Sequence, residues 1–316
     1  MGAERIAVVD LGTNSTRLLV ADVEDAHVTE LERRSEVTRL GAGVDRSGRL
    51  SGEAMERVLR TVADYRQAID RHSAERIVGV ATSALRDADN RAELCEVLVE
   101  RFGVEVETIS GDDEARLTFL GATAERAGEP ETLVIDIGGG STEYVVGLPG
   151  SDPLFHVSTR LGTVRQSERH LDADPPEPRE LTELAQEARE TIAAEVPQEI
   201  REDVELGIAV AGTPTSLAAI DQRLDPYDPE RVHGHLLELA GCERMLAMLA
   251  GLPLERRRRV TGLHPDRAPT IVAGAIILVE SMRAFGLTSV ETSESDLLQG
   301  AALVAVRGGG VRAKGG

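Results

Sequence analysis

Asp136-Ile137-Gly138-Gly139-Gly140-Ser141-Thr142-Glu143 follows the apolar run Leu133-Val134-Ile135 and leads into Tyr144-Val145-Val146. It reads as strand, tight glycine turn, strand. Three successive glycines remove every Cβ from the turn, so backbone N–H groups can converge on a phosphate without steric cost. Gly138, Gly139, Gly140 and Ser141 are therefore candidate phosphate donors. Asp136 at the strand end and Glu143 in the same hairpin are metal candidates, because Mg2+ asks for only one or two carboxylates beside phosphate oxygens.

The phrase occurs a second time, as Val9-Asp10-Leu11-Gly12-Thr13-Asn14-Ser15-Thr16-Arg17-Leu18. At an offset of 126, Asp10, Gly12, Ser15 and Thr16 match Asp136, Gly138, Ser141 and Thr142. A repeated phosphate hairpin predicts a duplicated domain with a cleft between the copies. Gly12, Thr13, Asn14 and Ser15 then meet the phosphate from the opposite wall, and Asp10 is a third metal candidate. Hairpin turns favour Asn and Gly, and strand ends favour Asp, for purely structural reasons. The Ser and Thr retained in both copies favour the phosphate reading.

The 316 residues suffice for two domains, each with its own core. A formal net charge of −20 argues against nucleic-acid or membrane-surface partners. The single lysine is Lys314, so no glycine-rich loop here is a lysine-bearing Walker A loop. Cys95 and Cys242 are too few for a disulfide framework or a cysteine zinc site, and a reduced cytoplasm is the expected compartment. The N-terminus enters a strand without a signal-peptide apolar region. The longest apolar run, Ala268 to Val279, contains Pro269, is too short for a bilayer and reads as a buried helix.

Along the first copy the pattern predicts an antiparallel meander over Glu4 to Asp10, Arg17 to Val23 and His27 to Arg34. A helix over Gly52 to His72 follows, capped by Ser51, with apolar residues at helical spacing. Next come a strand from Arg76 to Thr82, one helix from Ser83 to about Phe102, and a strand from Val104 to Ile109. Ser110 caps another helix, whose first turn carries Asp112, Asp113 and Glu114.

The second copy repeats the meander over Leu133 to Ile137, Glu143 to Leu148 and Leu154 to Arg160. A helix near Arg179 to Ala194 and a strand from Glu205 to Ala211, ending in Gly212-Thr213, follow. Asp225 to His235 reads as a loop, with helices near Cys242 to Leu249 and Arg267 to Phe285 beyond it. A strand, Ser289 to Thr292, precedes a last helix, Asp296 to Val306. The domain plan is 1–128 and 129–307, the last helix free to pack back on the first domain, with a disordered tail over 308–316. Each half is a mixed sheet covered by helices, an α/β architecture.

With these motifs in place, the chain resembles the exopolyphosphatase and guanosine pentaphosphate phosphohydrolase family, whose fold is the duplicated actin-like ATPase (ribonuclease H-like) fold. The resemblance runs from about Ile6 to Ala305. Besides both hairpins it rests on Thr38-Arg39-Leu40-Gly41, the stretch Ala81 to Ala88, Ile109 to Arg116, Gly212-Thr213 and Arg267 to Gly274. It implies a Mg2+-dependent hydrolase, Mn2+ also being accepted, that removes terminal orthophosphate from inorganic polyphosphate or the 5′ γ-phosphate from guanosine pentaphosphate. It also implies a homodimer. Longer members continue into further helical domains, so a preference for short chains is expected.

By the same resemblance Glu114 is the general base, although acidic residues in a first helical turn also complement the helix dipole. Arg86, opening a helix after a strand end, can bind phosphate through two donors. Gly212, Thr213 and Arg267 are further phosphate candidates, with Arg39 and Arg165 weaker ones. The Arg256 to Arg259 run reads as a solvated helix face, and His233-Gly234-His235 as a structural loop. The rival readings are an ATP-dependent kinase of the same superfamily and a non-catalytic sensor of polyphosphate or guanosine alarmones.

Overall fold

The computed structural model describes residues 3–25, 27–126, 128, 130–308 and 311. The chain divides into two compact units, Met1–Ala127 with Asp296–Gly316, and Gly128–Ser295. The expected disordered tail, apart from Gly308 and Val311, lies outside the described residues.

The first unit runs β1 (Glu4–Leu11), β2 (Thr16–Glu24), β3 (His27–Glu36), α1 (Val44–Ser47), α2 (Gly52–His72), β4 (Arg76–Ala81), α3 (Ser83–Arg86), α4 (Arg91–Phe102), β5 (Val106–Thr108) and α5 (Gly111–Thr123). Its sheet order is β3-β2-β1-β4-β5. The β1, β2 and β3 ladders are antiparallel, while β4 and β5 add in parallel.

The second unit runs β6 (Thr132–Ile137), β7 (Thr142–Gly147), β8 (Phe155–Thr159), α6 (Thr163–His170), α7 (Pro178–Glu195), α8 (Gln198–Glu202), β9 (Leu206–Val210), α9 (Gly212–Asp221), α10 (Pro229–Val232), β10 (Leu236–Glu238), α11 (Leu239–Ala250), α12 (Leu254–Arg257), α13 (Ile271–Ala284) and β11 (Ser289–Thr292). Read from β8, its sheet runs β8-β7-β6-β9-β11 before ending in β10. Those five strands repeat the order and sense of β3-β2-β1-β4-β5. The duplication expected from one repeated phrase is thus a duplicated sheet topology. The last helix, α14 (Leu297–Val306), counts with the first unit.

Local chemistry explains the element ends. Ser51 accepts a hydrogen bond from the Ala54 amide at 3.2 Å and starts α2, as its side-chain oxygen suits an N-cap. Ser110 and Asp113 close a reciprocal capping box on α5. The helix expected from Ser83 to Phe102 is instead two helices. Asn90 turns out of helical geometry, accepting from the Leu50 amide at 2.8 Å and donating to the Leu50 carbonyl at 3.2 Å, and α4 begins after it. The periodicity did not expose α6 or α9, and α10 falls inside the stretch read as a loop.

In the first unit α2 and α4 cover one apolar layer, with Val58, Val62, Tyr65 and Leu98 buried against Val9, Leu18 and Val20. The other layer joins Ile6, Val8 and Leu19 to Leu117 of α5 and to Leu298, Ala301 and Ala302 of α14. Backbone meets backbone there: a Cβ at Gly121 would lie 1.9 Å from the Asp296 carbonyl oxygen, and one at Gly300 would lie 1.9 Å from that of Leu117. The core of the second unit is built on α13, whose residues from Ile271 to Met282 are all buried. No helix among the described residues is long and apolar enough to cross a membrane.

Candidate active site

Both hairpins have one backbone design. Leu11 pairs with Thr16 and Ile137 with Thr142, leaving four-residue loops. Each loop is closed by a glycine amide donating to a serine carbonyl, Gly12 to Ser15 and Gly138 to Ser141, both at 3.0 Å.

What lies behind the loops aims them. In the first, the Gly41 amide donates to the Thr13 carbonyl and the Arg39 amide to the Asn14 carbonyl, each at 2.8 Å. In the second, the start of α6 does this work: Thr163 N–H reaches the Gly138 carbonyl at 2.9 Å and Val164 N–H the Gly139 carbonyl at 2.8 Å. Arg165 Nε donates to the Gly140 carbonyl at 3.0 Å. In a planar trans peptide the N–H points opposite to the carbonyl. Holding these carbonyls from behind therefore turns the amides of Asn14, Ser15, Gly139, Gly140 and Ser141 the other way, as an anion cradle requires.

Glu114 is 7% exposed in the first turn of α5. Its Oε2 accepts from Arg86 Nη1 at 2.8 Å, and the same nitrogen donates to the Ile109 carbonyl at 2.9 Å. Burial pushes the Glu114 carboxyl up from its ordinary value; Arg86 opposes that shift, nearby Asp10 adds to it and Arg17 opposes it. Glu114 and Arg86 thus sit together as an ion pair in which Glu114 is buried and Arg86 half-buried, not as two separate surface groups.

The two aspartates meet different partners. Asp10 and Arg17 face each other across the β1–β2 ladder, as Asp136 and Glu143 do across β6–β7. Residues directly opposite in an antiparallel pair present their side chains to one face. Asp10 Oδ2 accepts from Arg17 Nε and Nη2, both at 2.8 Å, and Arg17 Nη1 donates to Asp296, which caps α14. Asp10 Oδ1 is buried with no hydrogen-bond partner among the described residues. Burial raises the Asp10 pKa and Arg17 opposes the rise.

Glu143 is fully buried, and its Oε1 accepts from Ser158 Oγ at 2.7 Å. The Asp136–Glu143 pair fits a hard divalent cation: two carboxylates share one face, beside a loop of backbone donors. Among the described residues no three His, Cys, Asp or Glu gather as a metal cluster.

The remaining candidates have structural partners. Thr13 Oγ1 accepts from the Ala84 amide at 3.2 Å. Gly212 lies under Arg267, whose Nη1 is 1.4 Å from where a Cβ would stand, so the glycine makes room for the guanidinium. Thr213 is buried against Gly274 of α13. His235 pairs with Asp221 at 2.9 Å, and His233 Nδ1 accepts from the Glu294 amide at 3.2 Å. The Arg256 to Arg259 run is not wholly a solvated face. Arg257 is 4% exposed and donates to the Leu249, Leu252 and Ala268 carbonyls, closing the end of α11.

The sequence pattern of the Ppx/GppA phosphatase family matches residues 19–305. The chain belongs to this family. Exopolyphosphatase 2 of Mycobacterium tuberculosis is 36% identical over 321 residues, covering 96% of this chain and 99% of that one. A Ppx/GppA family member from Aquifex aeolicus matches with a TM-score of 0.81 at 29% identity, over 97% of this chain and 98% of that one. An exopolyphosphatase from Cytophaga hutchinsonii matches with a TM-score of 0.89 at 25% identity, over 98% and 100%. Membership in the Ppx/GppA phosphatase family makes the chain a phosphate-releasing hydrolase, and its fold is the duplicated actin-like α/β fold.

Three parts of this Ppx/GppA site were not singled out from sequence. Arg17 stood in the quoted hairpin without a role, and Asp296 stood only as a helix start. The third is a second repeat: Thr38-Arg39-Leu40-Gly41 recurs as Thr159-Arg160-Leu161-Gly162. Both copies back a hairpin, and self-comparison of the sequence shows the recurrence directly.

Proposed function

We propose that this chain is a Mg2+-dependent exopolyphosphatase that releases orthophosphate from the ends of inorganic polyphosphate. The observation that carries the reading is the buried Glu114 paired with Arg86 in a unit that also holds a backed glycine-serine hairpin. Phosphoryl transfer asks for positioning, charge neutralisation and an oriented nucleophile, and these residues match those needs.

In this reading Glu114 accepts a proton from water while the water oxygen bonds to the terminal phosphorus. The bridging P–O bond breaks, and its electrons leave on the shortened chain's terminal oxygen. Arg86 holds the Glu114 carboxylate in place and offers its remaining donors to phosphate oxygens. The amides of Asn14 and Ser15 in the first hairpin bind phosphate oxygens of the substrate, and so do those of Gly139, Gly140 and Ser141 in the second. Mg2+, or Mn2+ in its place, would be held by Asp136 and Glu143 and would neutralise phosphate charge.

Purified protein with Mg2+ is assayed for orthophosphate release from tripolyphosphate, long polyphosphate, guanosine pentaphosphate and ATP. Release from polyphosphate is expected, with chain-length preference read from the same assay. Glu114→Gln should keep substrate binding and turn over about a hundredfold more slowly. Wild-type turnover in that variant sinks the base assignment, and release from guanosine pentaphosphate alone moves the substrate to that nucleotide.

A further inference from the structure

We infer that Arg165 is a positioning residue that aims the third amide of the second glycine loop. The inference rests on reading Gly138 to Ser141 as the phosphate cradle. Glycine peptides turn easily because no Cβ restricts them. A loop of three glycines therefore keeps its amides converged only if its carbonyls are held from outside.

The backbone of α6 can hold only two of the three. Thr163 N–H takes the Gly138 carbonyl, and Val164 N–H with Arg165 N–H takes that of Gly139, the latter at 3.3 Å. The next amide, Gln166 N–H, is already committed to the Gly162 carbonyl at 2.8 Å. Gly162 cannot supply a side chain, since its Cβ would stand 2.2 Å from the Gly140 carbonyl carbon. The Gly140 carbonyl must be reached by a side chain from further along the helix, and Arg165 Nε reaches it.

The residue type is costly for mere packing. Arg165 is 7% exposed, and a cation in the first turn of a helix opposes the helix dipole. Burial lowers its pKa, the direction expected for a charge drawn out of water. The helix itself is fixed from the other side. Glu187 of α7 accepts from Gln166 Nε2 at 3.1 Å, Arg169 Nη1 at 2.5 Å and His170 Nε2 at 2.7 Å. Glu187 thus steadies α6, and Arg165 passes that rigidity to the loop.

Three variants of the full chain test this: Arg165→Met, Arg165→Lys and, as a control, Arg257→Met. Arg257 is also a buried arginine bonded to backbone carbonyls, but not to a hairpin loop. Amide hydrogen exchange at Thr163 and Val164 is measured in ligand-free protein, and kcat/KM per folded molecule is measured on tripolyphosphate. Arg165→Met should speed that exchange and lower kcat/KM by about tenfold to a hundredfold. Arg165→Lys, able to donate to the same carbonyl, should recover part of both. Arg257→Met should lower the melting temperature with kcat/KM unchanged. Wild-type exchange or wild-type kcat/KM in Arg165→Met overturns the inference. A wild-type protein that releases no phosphate overturns the functional reading instead, and the exchange measurement still decides whether Arg165 holds the loop. If Arg165→Met does not fold, Arg165→Lys decides: exchange faster and kcat/KM lower than wild type, as a less directed donor to the Gly140 carbonyl gives, support the inference, and wild-type values of either overturn it.

Discussion

Hairpin β1–β2 and hairpin β6–β7 close equal loops with equal bonds, yet the position opposite the aspartate carries Arg17 in one and Glu143 in the other. In the first hairpin the aspartate is neutralised from within, and the same arginine ties it to the cap of α14. In the second, two carboxylates face each other across the ladder, an arrangement that repels unless a cation lies nearby. Duplication supplied two hairpins of one backbone design. Divergence at one ladder position then made one hairpin self-contained and left the other suited to a metal.

Exchanging that position should give the largest effect. Glu143→Arg copies the charge of the first hairpin onto the second. If the metal belongs to the second hairpin, Mg2+ binding measured by calorimetry should vanish and kcat/KM should fall on the order of a thousandfold, about 4 kcal/mol of barrier. Glu143→Gln, closer in shape, should show the same direction with less disturbance of the fold. Undiminished Mg2+ affinity in both variants would place the metal elsewhere.

The first hairpin is tested through stability. Arg17→Met leaves Asp10, 2% exposed, and Asp296, 4% exposed, without their shared cation. Removing one partner of a buried pair costs about 3 kcal/mol or more, which urea unfolding would register as a lower midpoint. The double variant Asp10→Asn, Arg17→Met should lose less than the two single losses added together. A cost near zero for Arg17→Met would mean that the pair is solvated and that the two hairpins differ less than their charges suggest.

Much of this is legible in the sequence alone. The glycines, the repeated Asp and Ser, the caps at Ser51 and Ser110 and the buried run after Ala268 depend on local chemistry, which sequence carries. The doubled topology followed from the doubled phrase. The pairing of Arg17 with Asp296 joins residues 279 positions apart, and no local pattern announces such a contact. Arg257 was misread because a run of arginines looks solvated whichever of them turns inward to close a helix end. α6 escaped notice because only Thr163 to Gln166 of its eight residues are buried, and three of these are polar.

The backing segments offer a finer comparison. A methyl group at Gly162 would meet the backbone of Gly140, carbon to carbon at 2.2 Å, whereas one at Gly41 would meet the Thr13 side-chain methyl at 2.3 Å. A side chain can rotate aside; a loop backbone held at both ends cannot. Gly162→Ala should therefore cost toward the upper end of the 1 to 3 kcal/mol range of overpacking, roughly, and Gly41→Ala toward the lower end. Thermal unfolding of the two variants gives the order, and a reversed order would mean that the second loop is the more pliant.

The smallest effect expected is a displacement of the pH profile. A general base works only when ionised, so if Glu114 is that base, turnover falls as pH drops through its pKa. Burial raises that pKa, and the acid limb of kcat should lie above that of an ordinary glutamate. Arg86 is the strongest group favouring the carboxylate, so Arg86→Met should move the limb to still higher pH as well as lower its plateau. Stability has its own sign. A carboxyl with a raised folded-state pKa binds its proton longer in the folded chain than in the unfolded one, so its burial destabilises the fold progressively as pH rises through that window. Glu114→Gln lacks this titration, and its stability relative to wild type should improve with rising pH across the same interval. A profile whose acid limb does not move in Arg86→Met would detach Glu114 from the rate and leave the proton with another group.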